Sequence, residues 1–319
     1  MSTPDLAAIE AAAEVVHAYL PPTPSWSYPL LDAELGASVV VKHENAQPTG
    51  AFKVRGGVNL FAGMSGPDRA RGVITSSTGN HAQSIAYGAK QFGSTAVIVM
   101  PTTAPADKIA ATEALGAEVV LHGPTMTESG AHAAKLAADS GRRLISPGNE
   151  PEIIAGHATL HLELLRRHRD LEVLFVPIGS GTSAAGACLV AEQLAPGCAV
   201  IGVQSSAAPA AHRAWTTGAP ATAECHTRAS GLATGASYAL PQSILAGRLH
   251  DFVLVDDDEI DSAARLLATL AHTLSEGAGA AALAAAIKVG LAKDTRAGIV
   301  LSGGNASVDE LALLTQDRH

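Results

Sequence analysis

GVITSSTGNHAQSIAYGAKQFGSTAVIVM, running from Gly72 to Met100, decides the fold. A β-branched run, Val73-Ile-Thr75, passes through small polar residues into a helical segment, His81 to Phe92, and then into a second apolar run, Ala96 to Met100. The alternation continues with Asp107 to Leu115, Glu118 to Leu121, Glu128 to Asp139 and Leu144-Ile145. Three βα repeats with short connections predict a parallel sheet covered by helices on both faces. A second series begins with a long helix, Ile153 to His168, followed by strands at Val173 to Ile178, Val200 to Val203, Phe252 to Val255 and Ile299 to Leu301. The fold class read from this pattern is α/β: two lobes, each a mostly parallel twisted sheet flanked by helices. The expected division is a compact lobe of residues 50–147 inserted into a larger lobe made of 1–49 and 148–319. No Pro-, Gly- or Ser-rich linker, solenoid repeat or low-complexity tail interrupts it.

Composition narrows the partners. Of 319 residues 47% are apolar and only 3% aromatic, so the core must be filled by Ala, Leu, Val and Ile, and stacking surfaces for bases or sugars are scarce. The net charge is 21 − 30 = −9, with no basic stripe to neutralise a phosphate backbone, which argues against nucleic acid. Cys188, Cys198 and Cys225 are odd in number and widely spaced, fitting a reducing cytoplasm better than a disulfide framework. The amino-terminal stretch carries Asp5, Glu10 and Glu14 where a signal peptide would be apolar, and reads as an amphipathic helix. Gly277 to Ile287 is too short to span a membrane and reads as a buried helix.

Four motifs carry chemistry. In Glu44-Asn-Ala-Gln-Pro-Thr-Gly-Ala-Phe-Lys53-Val-Arg-Gly-Gly57, a lysine follows a Pro/Gly turn at the first turn of a predicted helix, between Phe52 and Val54. Apolar neighbours, the helix N-terminus and Arg55 all push its pKa down, the setting of a nucleophilic amine; the alternative is a surface lysine whose stem covers apolar atoms. Gly179-Ser180-Gly181-Thr182 follows the strong strand VLFVP and opens a helix, Ala184 to Leu194, forming an anion cradle. As a dinucleotide fingerprint the loop is weak, because Val203 is followed by Gln204 and two serines where ribose binding calls for an acid, so a cofactor with a single phosphate is favoured over NAD. Thr75-Ser-Ser77-Thr78-Gly79-Asn80-His81 sits at the same kind of junction and suits a carboxylate, or a helix cap by Thr78 or Asn80. Ser302 in Leu301-Ser-Gly-Gly-Asn305 is a turn residue or a hydroxyl aimed at a ring nitrogen. His157 and His161, four apart on one helix, lack the HExxH glutamate and a third ligand, and read as a packed or solvated pair. Asp256 to Glu259 reads as favourable charge ahead of a helix from Ser262.

Taken in order, TGAFKVRGG, SSTGNHAQ, the glycine loop and SGGN resemble the pyridoxal 5′-phosphate enzymes of the tryptophan-synthase-β type, fold type II, and within them the serine/threonine dehydratases and serine racemase. The likeness covers nearly the whole chain. It implies that Lys53 carries the cofactor as a Schiff base and acts as the base, that Phe52 packs beside it, and that Asn80 bonds the pyridine hydroxyl. By the same likeness Gly179, Ser180, Gly181 and Thr182 bind the phosphate and Ser302 faces the pyridine nitrogen. Glu276 stands near the ring, and Ser77, Thr78, Gly79, Asn80 and His81 hold the substrate carboxylate. The larger lobe would then bind cofactor and the smaller one substrate.

The implied activity is dehydration and deamination of a small β-hydroxy amino acid, L-threonine or L-serine, to a 2-keto acid and ammonia. Alternatives are a serine or aspartate racemase, a dehydratase for a bulkier substrate such as phenylserine or a hydroxyectoine-derived acid, and an inert small-molecule- or NAD-binding protein. Thr78, where serine racemase has a serine acting on the opposite face of Cα, offers a hydroxyl, making it a second candidate catalytic residue. Gln204, Ala208 and Ala210 replace the acids of the family's metal site, so no metal is expected. Segment Ser230 to Gly235 shapes the pocket. The chain's end at His319 leads to the expectation of no regulatory carboxy-terminal domain, and a cytoplasmic homodimer is expected from the family's habit.

Overall fold

The computed structural model describes residues 2–315. Its strands are β1 (Ser25–Ser27), β2 (Ser38–His43), β3 (Val73–Ser76), β4 (Ala96–Met100), β5 (Glu118–Leu121), β6 (Arg143–Leu144), β7 (Val173–Pro177), β8 (Ala199–Ser205), β9 (Asp251–Val255) and β10 (Arg296–Leu301). They form two sheets. One runs β1-β2-β10-β7-β8-β9, parallel throughout except that β1 pairs antiparallel with β2. The other runs β5-β4-β3-β6 and is wholly parallel. Mixed α/β architecture with parallel sheets is what the βα alternation predicts.

The period-2 geometry of a strand sorts its side chains between two packed layers. Leu174 and Val176 of β7 join the layer beneath the helices Leu6–Tyr19, Pro151–Arg167 and Thr182–Leu194. Val173 and Phe175 join the opposite layer, with the helices Asp257–Leu270 and Gly277–Val289. All five residues of β7 and all five of β4 are buried, as expected of strands covered on both sides. In the smaller sheet Ile98 faces Leu60, Phe61 and Ile85, whereas Val97 and Val99 face Ala133 and Ala137.

Few aromatics are needed because helices approach one another closely. A Cβ on Gly57 would lie 2.3 Å from the carbonyl oxygen of Ser84, and one on Gly156 2.6 Å from that of Arg55. These contacts press helix Val54–Gly63 against helices Asn80–Gln91 and Pro151–Arg167, so the residue that begins it is held between two neighbours.

Several boundaries differ from the sequence reading. The helix expected from Ser262 begins at Asp257, with Asp256 accepting from the backbone N–H groups of Asp258 and Glu259, so the acidic run is the first turn and its cap. The helix after the glycine loop starts at Thr182, two residues earlier than expected. β1 and β2 were not anticipated, since Ser-Trp-Ser is too short to show alternation and β2 follows it with no βα rhythm.

Candidate active site

Lys53 stands at the N-cap of helix Val54–Gly63 in helical conformation (φ −60°, ψ −25°), with no side chain capping that terminus. It is half-buried, its amine opening onto a cleft and lying 4.9 Å from the centre of the Phe52 ring. Burial pulls its pKa down to about 8, opposed by the negative charge of Glu276. Arg55, expected to contribute, does not. Its guanidinium turns into a buried cluster, donating to Glu44 at 2.7 and 2.9 Å and to Glu163 at 2.6 and 3.0 Å, and is neutralised there.

The cleft holds ≈ 350 Å³ of empty space, part of it open to solvent. The C-terminal end of β7 delivers Gly179, Ser180, Gly181 and Thr182 to it, and the end of neighbouring β10 delivers Ser302, the placement of a ligand site in an open parallel sheet. Gly181 has φ 88°, and no side chain caps the helix behind it, so the first N–H groups of that helix are free to meet an anion. Gly179 is equally constrained, since a Cβ there would lie 2.3 Å from the carbonyl oxygen of Gly231. Ser302 donates to the carbonyl of Ala278 at 3.1 Å while its own carbonyl accepts from Phe52 N–H at 3.0 Å, tying the end of β10 to the turn that carries Lys53.

Asn80 joins the start of helix Asn80–Gln91 to residues much further along the chain. Its amide donates to Glu276 at 2.7 Å, and its oxygen accepts from Asn305 at 2.8 Å. Glu276 is buried, which drives its pKa up to about 7, with Glu310 adding repulsion and Asn80, Lys108 and Lys53 opposing. Helix Asn80–Gln91 begins at Gly79 without a side-chain cap, so neither Thr78 nor Asn80 plays the capping role; Ala82 N–H bonds the Gly79 carbonyl at 2.9 Å, which leaves the N–H groups of Asn80 and His81 for a ligand. Ser77 accepts from Gly79 N–H at 3.3 Å, holding the half-buried Ser77–Thr78–Gly79 turn next to Asn80.

His81 departs from its expected place. It is buried, bonded through Nε2 to Thr75 Oγ at 3.1 Å, and Thr75 gives its own proton to the carbonyl of Ile145 at 2.8 Å. Burial and the charge of Lys53 push its pKa down to about 3, so an uncharged imidazole supports the turn from behind and brings no positive charge to a carboxylate.

Phe52, Lys53, Asn80, residues 179–182, Glu276 and Ser302 therefore line one cleft. Gly231 and Leu232, within Ser230 to Gly235, line it too, as do Pro177 and Ser183 on either side of the glycine loop and Ala278 just after Glu276, to which the motifs assign no role. His157 and His161 are packed, not solvated: His157 bonds Thr182 and His161 bonds Ser183, each at 3.0 Å.

A family model described as pyridoxal-phosphate dependent enzyme matches residues 17–303. The chain belongs to this family. It is 36% identical over 281 residues to the L-threonine ammonia-lyase of Thermotoga maritima, covering 88% of this chain and 70% of that one. With the L-threo-3-hydroxyaspartate ammonia-lyase of Saccharomyces cerevisiae it shares 34% identity over 319 residues, 98% and 97% of the two chains. Maize serine racemase superposes with a TM-score of 0.92 at 28% identity, covering 98% of this chain and 96% of the other. The cleft of this pyridoxal-phosphate enzyme fits its cofactor: one lysine amine made nucleophilic by burial, and one uncapped helix N-terminus reached through glycines that leave no room for a Cβ.

Proposed function

We propose that this enzyme is an ammonia-lyase that dehydrates and deaminates a small β-hydroxy amino acid, L-threonine or L-serine, to a 2-keto acid and ammonia. The observation that carries the reading is one cleft lined by Lys53, by the glycine loop at the uncapped N-terminus of helix Thr182–Leu194, suited to a phosphate, and by Asn80, first residue of a second helix without a side-chain cap, suited to a carboxylate. The relatives named for threonine and for threo-3-hydroxyaspartate act on amino acids of this type. Residues 50–147 would present the carboxylate site, and residues 1–49 with 148–319 the phosphate site.

Bound pyridoxal phosphate supplies the electron sink that acidifies the substrate's Cα–H and allows the β-hydroxyl to leave. Gly179 to Thr182, which line the cleft, would hold the phosphate with backbone N–H groups, and Phe52 would limit where the ring can lie. Ser302 would meet the ring nitrogen as a neutral hydroxyl rather than as an acid, turning its proton from the Ala278 carbonyl to do so, which would leave the nitrogen unprotonated and favour prompt loss of the β-hydroxyl over slow side reactions. Lys53 Nζ would take the Cα proton; with its pKa drawn down to about 8, about half of the amine is neutral at pH 8 and ready to do so. Ser77 to Asn80 orient the carboxylate.

Lys53→Ala should abolish both keto-acid release and the visible absorbance of the loaded protein, and full turnover by that variant would overturn the assignment. Superposition on a serine racemase, with the Thr78 hydroxyl beside the carboxylate turn, favours racemisation as the second reading. Chiral analysis of recovered serine alongside keto-acid yield separates the two. No described helix is long and apolar enough to cross a membrane, and Cys188, Cys198 and Cys225 are free thiols. A cytoplasmic homodimer completes the proposal, and sedimentation of the purified protein tests its stoichiometry.

A further inference from the structure

His157 touches both halves of the cofactor site without lining it. Its Nε2 lies 3.2 Å from the carbonyl oxygen of Lys53, and its Nδ1 lies 3.0 Å from Thr182 Oγ in the glycine loop. The ring also meets Phe52 edge-on, with centroids 4.7 Å apart and planes at 67°. A carbonyl oxygen only accepts, so Nε2 must carry the proton; Nδ1 is then a bare lone pair, and the bond to Thr182 exists only if the hydroxyl donates. Ser84 Oγ donates to the same Lys53 carbonyl at 2.5 Å, so the lysine's backbone is held from helix Asn80–Gln91 on one side and helix Pro151–Arg167 on the other. A Cβ on Gly56 would come within 2.5 Å of His157 Nε2, so the helix that follows Lys53 is shaped to admit this ring.

We propose that His157 is a positioning residue, locked as the neutral Nε2–H tautomer, that couples the phosphate loop to the backbone of Lys53 and turns the Thr182 hydroxyl proton away from the phosphate. Thr182 then serves the anion through its backbone N–H, and a shift of the loop is felt at the lysine. This rests on the reading of residues 179–182 as the phosphate site. Burial is the main force opposing an imidazolium, and the charge of Lys53 adds to it; Arg55, two residues on, and His81, on helix Asn80–Gln91, are the other titratable groups around the ring.

The test uses the holoenzyme. With 15N-labelled histidine, and His157→Gln to assign the signal, the native resonance should show protonated Nε2 and bare Nδ1 throughout pH 6 to 9; a protonated Nδ1, alone or in an imidazolium, would overturn the proposal. His157→Leu should weaken pyridoxal-phosphate binding by about ten- to a hundredfold, the range for leaving buried partners unpaired. His157→Gln, whose amide offers one donor and one acceptor, should recover most of that loss. Because the two side chains share one bond, the losses in His157→Leu and Thr182→Val should be strongly non-additive in the double variant. Additive losses, or undiminished binding by His157→Leu, remove the role of His157 while leaving the site reading intact. Failure of the unaltered protein to take up pyridoxal phosphate removes both.

Discussion

Lys53 and Glu276 are opposite cases of one cause, the cost of holding charge away from water. Burial draws the amine down to about 8 and the carboxyl up to about 7, so each is biased toward its neutral form. In the cofactor-free protein, the rate at which Lys53 is modified by a small aldehyde should therefore rise with a midpoint near pH 8, and a midpoint at the ordinary lysine value would refute this. For Glu276 the sign follows from a pKa raised on folding. Its contribution to stability is fully present below the ordinary value of 4.5 and is lost as pH climbs through 7, a loss of at most about 3 kcal/mol. Glu276→Gln, which keeps an acceptor for Asn80, should escape that loss. Thermal unfolding of the cofactor-free proteins should show the variant gaining on the parent between pH 5 and 8, and a gap that does not change with pH would count against the assignment. Lys53 was legible in sequence because its turn and apolar neighbours are local. The direction taken by Arg55 was not, because its partner Glu163 is 108 residues away and nothing in the spacing marks it.

At the scale of the element, the βα alternation made the strands of the smaller sheet readable to within a residue or two, because β3, β4 and β5 are each followed in sequence by a helix after a short connection. Short, edge-lying β1 had no such partner next to it in sequence. What the alternation cannot reveal is how closely helices pack, which is a matter of single glycines. Gly57→Ala places a methyl group against the backbone of Ser84, and backbone cannot rotate aside as a side chain would. The expected cost is about 1–3 kcal/mol of stability, read from urea unfolding, together with weaker cofactor binding, since the displaced helix begins at Lys53. Unchanged unfolding would show that the helices separate more readily than their spacing implies.

Across the whole molecule, a buried ionic cluster joins segments far apart in sequence. Arg55 and Lys42 face Glu44 and Glu163, with Thr23 and Thr159 completing the hydrogen bonds. Removing one anion leaves two cations sharing the other, so Glu163→Ala should destabilise by about 3–5 kcal/mol. Glu163 has its pKa lowered to about 2 despite burial, chiefly by the charge of Arg55. A depressed carboxyl contributes stability above its ordinary value of 4.5 that is lost as pH falls toward 2, so the destabilisation measured at pH 7 should shrink at pH 3. Equal penalties at both values would place the cluster's effect outside electrostatics.

The position of β10 bears on how the protein is made. The strand that begins at Arg296 lies between β2, which begins at Ser38, and β7, which begins at Val173, and Ser302 follows it directly. A ribosome that has released residues up to 295 has exposed a smaller sheet with all four of its strands, but a larger one split in two, with β1 and β2 waiting for the neighbour that joins them to β7. Long-range pairings of this kind close late and slowly. Lys53 thus leaves the exit tunnel early and waits for most of translation before the strand that completes its surroundings arrives. Nascent chains stalled before Arg296 should gain no cofactor absorbance, whereas chains released beyond Asn305 should.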